Sequence, residues 1–299
     1  MTSLSIFFQQ LINGLSLGSI YALIALGYTM VYGIVKLINF AHGDIMMMGS
    51  YAAYFILVAV GPTPFGFILA IFTAMVFSAC LGMGIEQLAY RPLRNAPRLN
   101  SLITAIAVEL ILQNLMRVLP FVGPDPRQFP TVKVTPINLG AVQIDGIKAL
   151  VIVASVILMI VLTIIVNYTK VGKAMRAVSF DMPAASLMGI NVNKTISLTF
   201  AIGSMLAGAA GVLYATAYPM IDPTMGYMPG LKAFVAAVLG GIGSIPGAMI
   251  GGLLLGVTET LVKGYGPSAY ADAISFGILI LILLVKPTGI LGKKTVVKV

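Results

Sequence analysis

The chain has 299 residues, of which 59% are hydrophobic and 9% charged, with a formal net charge of +9. Its mean hydropathy is +1.02. So much apolar surface excludes a water-soluble globule, and the basic balance, held in short loops, reads as a topology signal rather than a nucleic-acid footprint.

Met1 to Ile12 carries no basic n-region and no small-residue cleavage site, which argues against a cleavable signal peptide. Apolar runs follow at 6–35, 42–60, 65–90, 102–119, 147–166, 196–218, 231–262 and 271–285. A bilayer crossing needs about 20 apolar residues as helix. In lipid each such segment must pair its own backbone, so the runs are expected to be helices. In the first run Gln9 and Asn13 are four apart, and so are Gly14, Gly18 and Ala22.

Between the first two runs stands Asn39-Phe40-Ala41-His42-Gly43-Asp44. This motif is expected at a membrane boundary, with Asn39 or Asp44 capping a helix in a tight turn. A proton-coupled role for His42 is the sharper alternative. Met46, Met47 and Met48 are read as adaptable packing, because consecutive helical residues diverge and cannot converge on one ion. The single cysteine, Cys80, is expected to be a buried, inert thiol. Glu86 continues the small-residue stripe Ala74, Ser78 and Gly82 to a basic end near Arg91, where a structural tie is expected.

Glu109, Gln113 and Arg117 recur at intervals of four in the fourth run, with Asn114 alongside. Glu109 and Arg117 are separated by about 12 Å of helix rise, so Gln113 bridges them or other helices supply partners. Charges at this depth are costly and need a reason. Either they line a translocation path or they are paired as structural ties. Glu259, between Thr258 and Thr260 in the seventh run, poses the same choice.

Residues 120–146 hold five prolines and the alternating stretch Thr131-Val132-Lys133-Val134-Thr135, so a compact loop with a short strand pair is expected. Small residues repeat again at Gly203, Ala207, Gly211 and Ala215, and at Ala248, Gly252 and Gly256. They are expected to let helices approach closely within the chain, or on one face to form a dimer seam.

With the N-terminus outside, 12 of the 18 Lys and Arg residues fall on the cytoplasmic side, which sets the expected orientation with the C-terminus inside. Parity then requires 231–262 to make a net return outward. It is interrupted by Gly240, Gly241, Gly243 and Ser244, so it is read as two half-helices or as a short tilted span followed by a normal one. Broken helices at membrane depth often mark a permeation path. Phosphate-loop, zinc-protease and nucleophile-elbow motifs are absent, which leaves an enzyme reading little support.

Residues Tyr21-Ala22-Leu23-Ile24-Ala25, Gly27-Tyr28-Thr29-Met30-Val31-Tyr32-Gly33, Ile38-Asn39-Phe40-Ala41-His42-Gly43, Glu86 with Ala89-Tyr90-Arg91-Pro92, Leu187-Met188-Gly189-Ile190-Asn191, the glycine-rich run from Ala236 to Gly252, and Pro287-Thr288-Gly289-Ile290-Leu291-Gly292 give the chain a nearly end-to-end resemblance. It resembles the permeases of bacterial high-affinity branched-chain amino-acid ABC importers, most closely the smaller of the two permease subunits. The resemblance implies an all-α polytopic transmembrane helix bundle of about eight spanning segments, forming one permease domain over 1–299. It implies a sister permease subunit, two cytoplasmic ATPase subunits that carry ATP and magnesium, and an external amino-acid-binding protein. No cofactor is expected on this chain itself.

The stretch 168–195 resembles the Glu-Ala-Ala-x-x-x-Gly ATPase-docking loop of such permeases. Ala184, Ala185 and Gly189 match its spacing, and Pro183 stands where Glu would be. Pro183 suits the first turn of a short coupling helix. Lys173 and Arg176 are placed to meet acidic ATPase residues or anionic headgroups. The expected function is inward movement of branched-chain amino acids across the bacterial inner membrane. The rivals are an ABC permease for an amide, urea or a sugar, and a gradient-driven transporter with Glu109, His42 and Glu259 as coupling groups.

Overall fold

The computed structural model describes residues 3–94, 96–139 and 142–292. Its helices are α1 (Ser3–Val35), α2 (His42–Val60), α3 (Pro64–Ile85), α4 (Arg98–Val118), α5 (Gly146–Tyr168), α6 (Lys170–Phe180), α7 (Met182–Leu187), α8 (Val192–Ala217), α9 (Tyr227–Gly240), α10 (Ile245–Tyr265) and α11 (Ala271–Val285). Among the described residues eight helical segments are long and apolar enough to cross a membrane, while α9 is shorter. The chain is an all-α multi-pass membrane bundle.

The helix starts are written in the sequence. Thr63 accepts from the Gly66 N–H at α3, Asp145 from Ile147 at α5, Thr169 from Gly172 at α6 and Asp181 from Ala184 at α7. Asn191 and Ser244 do the same at α8 and α10. Each side-chain oxygen satisfies a backbone donor that the first turn leaves free.

The bundle is layered around α1 and α8, the two spans most enclosed by protein. They cross where Gly27 meets Gly203. Next come α2, α3, α9 and α10, and α4, α5 and α11 lie outermost. The small-residue stripes set the inner contacts. A Cβ on Gly18 would meet Leu253 Cα at 2.8 Å, and one on Gly252 would meet Ala22 Cα at 2.5 Å. Backbones this close admit only hydrogen at the crossing, which is how helices without a hydrophobic drive between them gain packing energy in lipid. The expectation of close approach within the chain is met on α1, α3, α8 and α10.

Two triplets share a plan. In each, a full span is followed by a return into the membrane, a helix that begins at mid-depth, and another full span. The first is α1–α2–α3 and the second is α8–α9–α10, run in the opposite direction. They exchange partners: α1 packs along α10 and α3 along α8. The starts of α2 and α9 meet, with a Cβ on Gly230 falling 2.9 Å from Gly43 Cα.

The motif around His42 therefore departs from the boundary position expected of it. After α1 ends at Val35, Lys36 adopts a left-handed conformation (φ 57°) and the chain turns back. His42 ends up packed against Gly27 of α1, at the point where α1 crosses Gly203 of α8. Gly27 is eight residues from the end of its helix and Gly203 eleven from the start of its own, about 12 and 16 Å of rise. That is mid-membrane. Nor do Asn39 and Asp44 cap α2: its N-cap is Ala41, with no side-chain cap. A buried cap was unnecessary because the preceding chain supplies acceptors, as in the His42 N–H bond to the Asn39 carbonyl (3.1 Å).

Other expectations shift in detail. The loop 119–145 does hold a strand pair, Ile137–Leu139 with Val142–Ile144, rather than strand at 131–135, which Pro130 and Pro136 bracket. A second pair joins Arg127–Gln128 to Met220–Ile221. Cys80 is exposed on α3, not buried. The broken segment takes a form between the two expected, a half-helix α9 too short to span followed by the full-length α10.

Beyond α3 the helix widens into a π turn at Glu86–Tyr90. Glu86 is fully buried there and pairs with Arg94, not with Arg91, and accepts from Ser197 Oγ. Removing one partner of a buried pair strands the other charge, at a cost of about 3–5 kcal/mol. Arg94→Ala is thus expected to lower the thermal midpoint of the purified protein clearly. The double change with Glu86→Gln is expected to recover much of the loss, as read by circular dichroism melting in detergent.

Candidate functional site

Three regions collect the chemistry-bearing side chains. The first lies at mid-depth between α2 and α4. Asp44, in the first turn of α2, is 1% exposed. Gln113 of α4 donates from Nε2 to Asp44 Oδ1 (3.2 Å) and Oδ2 (3.4 Å), and reaches Glu109 Oε1 at 3.5 Å. The i, i+4 spacing of Glu109 and Gln113 thus places both on the face of α4 that meets α2. Arg117 does not join this cluster; the partner came from another helix.

Asn39 lies beside the same motif. Its Oδ1 accepts from Tyr90 Oη (2.8 Å), tying the return loop to the π turn, while its Nδ2 has no partner. His42 stacks edge-on with Tyr28, ring centroids 4.7 Å apart, and its Nε2 is also without a partner. A cavity of about 450 Å³ opens in front of Asp44 and Glu109, walled by Phe40, Leu102, Ile106 and Leu110, and on the other side by Leu231 and Phe234. Spacing alone marked Asp44, Glu109 and Gln113. The aromatic and aliphatic walls were missed, because on a lipid-facing helix they look like any apolar residue.

The second region is an ion network beside α1. Glu259 Oε1 accepts from Lys232 Nζ (2.8 Å) on α9 and from Lys263 Nζ (2.6 Å) one turn along α10. Its Oε2 accepts from Tyr21 Oη (3.0 Å) on α1. Lys232 also pairs with Asp272 of α11 (2.7 Å). Two acids and two bases balance, so Glu259 is held as an internal tie of four helices. None of these residues lines the cavity at Asp44.

The glycine-rich run makes the turn between α9 and α10. Gly241 (φ 105°) and Gly243 (φ 92°) both sit where a side chain is strained. Gly240 packs against Gly247 across the hairpin, and Ser244 caps α10. The turn also receives the chain's tail: Ile290 and Leu291 donate to the carbonyls of Leu239 and Gly240, both at 2.9 Å. Sequence reasoning set this run in a path. The structure places it beside Gly33 at the end of the bundle that also carries the third region.

That third region is α6 and α7. Pro183 falls in the first turn of α7 behind the Asp181 cap. Ala185 is buried and anchors the helix, and Gly189 (φ 82°) ends it with open space around it. Arg176, an exposed residue, folds back to donate to the carbonyl of Val166. Lys173 is exposed on α6. Around α7 stand Phe180, Leu187 and Met188, exposed at 92%, 89% and 83%. The spacing match had named the scaffold of this loop and missed these three apolar tips.

The comparisons agree with this architecture. The family model described as "Branched-chain amino acid transport system / permease component" matches residues 10–283. The high-affinity branched-chain amino acid transport system permease protein LivH of Escherichia coli strain K12 is 46% identical, over 98% of each chain. The corresponding protein BraD of Pseudomonas aeruginosa is 43% identical, also over 98% of each. A probable branched-chain amino acid transport permease protein of Methanocaldococcus jannaschii is 32% identical over 92% of this chain and 89% of its own. By contrast, the ribose import permease protein RbsC of Escherichia coli strain K12 matches only 39% of this chain, at 32% identity. No solved structure matches. The chain belongs to the permease-component family of the branched-chain amino acid transport systems.

Proposed function

We propose that this chain is one permease subunit of an ABC importer that moves branched-chain amino acids into the cytoplasm. It lies in the inner membrane with its N-terminus outside and its C-terminus inside, as one domain over 1–299. It pairs with a sister permease, receives the amino acid from an external binding protein, and is driven by two ATPase subunits that hold ATP and magnesium. The chain itself does no covalent chemistry. End-to-end similarity to permeases named for this transport carries the substrate class.

The single structural observation behind the ATP-driven reading is the apolar tip of α7. Leu187 and Met188 project from the end of this short capped helix and Phe180 from the adjoining end of α6, at the end of the bundle with the arginines of residues 91–94. Exposed apolar side chains off the lipid-spanning helices mark a protein contact. The tip fits a groove on an ATPase, and Lys173 beside it fits acidic residues there. In this reading Asn39, His42, Asp44, Glu109 and Gln113 flank the path at mid-depth. Gly240, Gly241, Gly243 and Ser244 form the turn that passes movement of the docking end to α9, and Glu259 keeps α9 and α10 moving together with α1.

The test is uptake of labelled leucine by cells carrying the whole operon. Uptake that stops when the ATPase genes are deleted supports the reading. Uptake that survives their deletion, or that follows an ion gradient, overturns it.

A further inference from the structure

The cavity in front of Asp44 holds an imbalance that the fold does not resolve. Two carboxylates face it at mid-membrane, and among the described residues no Lys, Arg or His lines it. Among the described residues, the side-chain hydrogen bonds to Asp44 and Glu109 come from the Gln113 amide, shared between them at 3.2 to 3.5 Å. The contrast with Glu86 and Glu259 is direct, since both of those find a basic partner within the chain. The start of α2 favours an anion at Asp44 through its backbone dipole, but that reaches only the first turn of one helix and leaves Glu109 uncompensated. Two further polar atoms of the same motif, Asn39 Nδ2 and His42 Nε2, are buried without a partner behind the cavity wall and do not line it.

We propose that this cavity is a transit site that binds an aliphatic amino acid by its ammonium group, held between Asp44 and Glu109. The proposal rests on the import of branched-chain amino acids argued above. An ammonium carries three donors and one positive charge, which suits two carboxylates with free acceptor positions. The volume of about 450 Å³ lies within the range of small-ligand sites. Leu102, Ile106 and Leu110 of α4 with Leu231 and Phe234 of α9 offer an aliphatic side chain an apolar surround, and Tyr28 and Tyr227 complete the wall with their rings and hydroxyls. A bare metal cation fits poorly: two carboxylates and one amide fall short of the six to eight oxygens calcium takes, and the walls add only the weak phenol ligands Tyr28 and Tyr227. The charge has one other resolution, in which both acids simply carry protons.

The experiment distinguishes these. The complete importer is assembled in proteoliposomes with its binding protein, and labelled leucine moved per ATP hydrolysed is measured for Asp44→Asn, Glu109→Gln and the double variant. Because the readout is a ratio, poor assembly that lowers both terms does not register. Each amide imitates a protonated acid. The ratio is expected to fall at least about tenfold in the double variant, the size of one or two lost charge-assisted hydrogen bonds. Asp44→Glu, which keeps the charge, is expected to retain more of it than Asp44→Asn. A second readout uses the permease–ATPase complex without binding protein: 3-methylbutylamine is expected to displace bound leucine and 4-methylpentanoate is not. A double variant with the wild-type ratio overturns the site, as does displacement by the acid and not by the amine. A wild-type importer that moves no leucine overturns the import reading instead, so the two failures are separable.

Discussion

Leucine uptake is expected to fall to background when Leu187 is replaced by Asp, with the protein still present in the membrane. Leu187 sits at the end of α7 with 89% of its surface free, so the substitution disturbs no packing within the chain. Its effect must then come from outside. A buried apolar anchor at the centre of a protein interface commonly carries 2 kcal/mol or more, and a desolvated carboxylate in its place adds a further penalty. The ATPases are therefore expected to be lost on purification through a tag on this chain, by about 100-fold in yield. Phe180→Asp is expected to act similarly. Ala185→Asp serves as a contrast, because Ala185 is 4% exposed and its replacement unfolds the loop itself. Retained ATPases and uptake in Leu187→Asp would remove the assignment of α7 as the docking element.

The second large effect is expected at Lys232. It joins Glu259 of α10 to Asp272 of α11 and is 6% exposed. Lys232→Met keeps the length of the side chain and removes its charge. Glu259 then retains only the half-exposed Lys263 and the Tyr21 hydroxyl. Breaking a buried pair by removal of one member costs about 3–5 kcal/mol, a large share of the stability of any domain. The thermal midpoint in detergent is expected to drop steeply. Adding Glu259→Gln to the same chain is expected to restore a good part of it, since the buried carboxylate that lost its main partner is then uncharged. Lys263→Met is expected to cost far less, because Lys263 is 45% exposed and water replaces it. Equal losses for Lys232 and Lys263 would show that the network does not bear on stability.

The sequence announced its membrane helices openly, because lipid demands long apolar runs and intra-segment hydrogen bonds, and both are local properties. The small-residue stripes likewise announced close crossings, since a four-residue period is readable from spacing alone. The depth of the His42 motif was not readable. A polar stretch between two apolar runs looks the same whether it lies at the surface or folds back into the bundle, and it is the distant Gly27 that makes room for His42 on the return. For the same reason Glu259 looked available for a path: its partners Lys232, Tyr21 and Asp272 come from three other helices. In the candidate site the charged members were legible and the walls were not. At α6 and α7 the cap and the turn residues were legible, while the exposed apolar tips Phe180, Leu187 and Met188 follow no fixed spacing.

The pairing of α1 with α10 carries a consequence for how the protein is made. The first helix to enter the membrane finds its main partner only after about 230 further residues have been synthesised, and at roughly 5–20 residues per second that is a wait on the order of 10–50 s. Until then the face carrying Gly14 and Gly18 stands open to lipid or to any other helix that presents small residues. Ribosome-bound chains halted before α10 should thus be the species most open to proteolysis and to mispairing. Insertion factors that shield a helix face should matter more for this chain than for a bundle whose neighbours in space are neighbours in sequence.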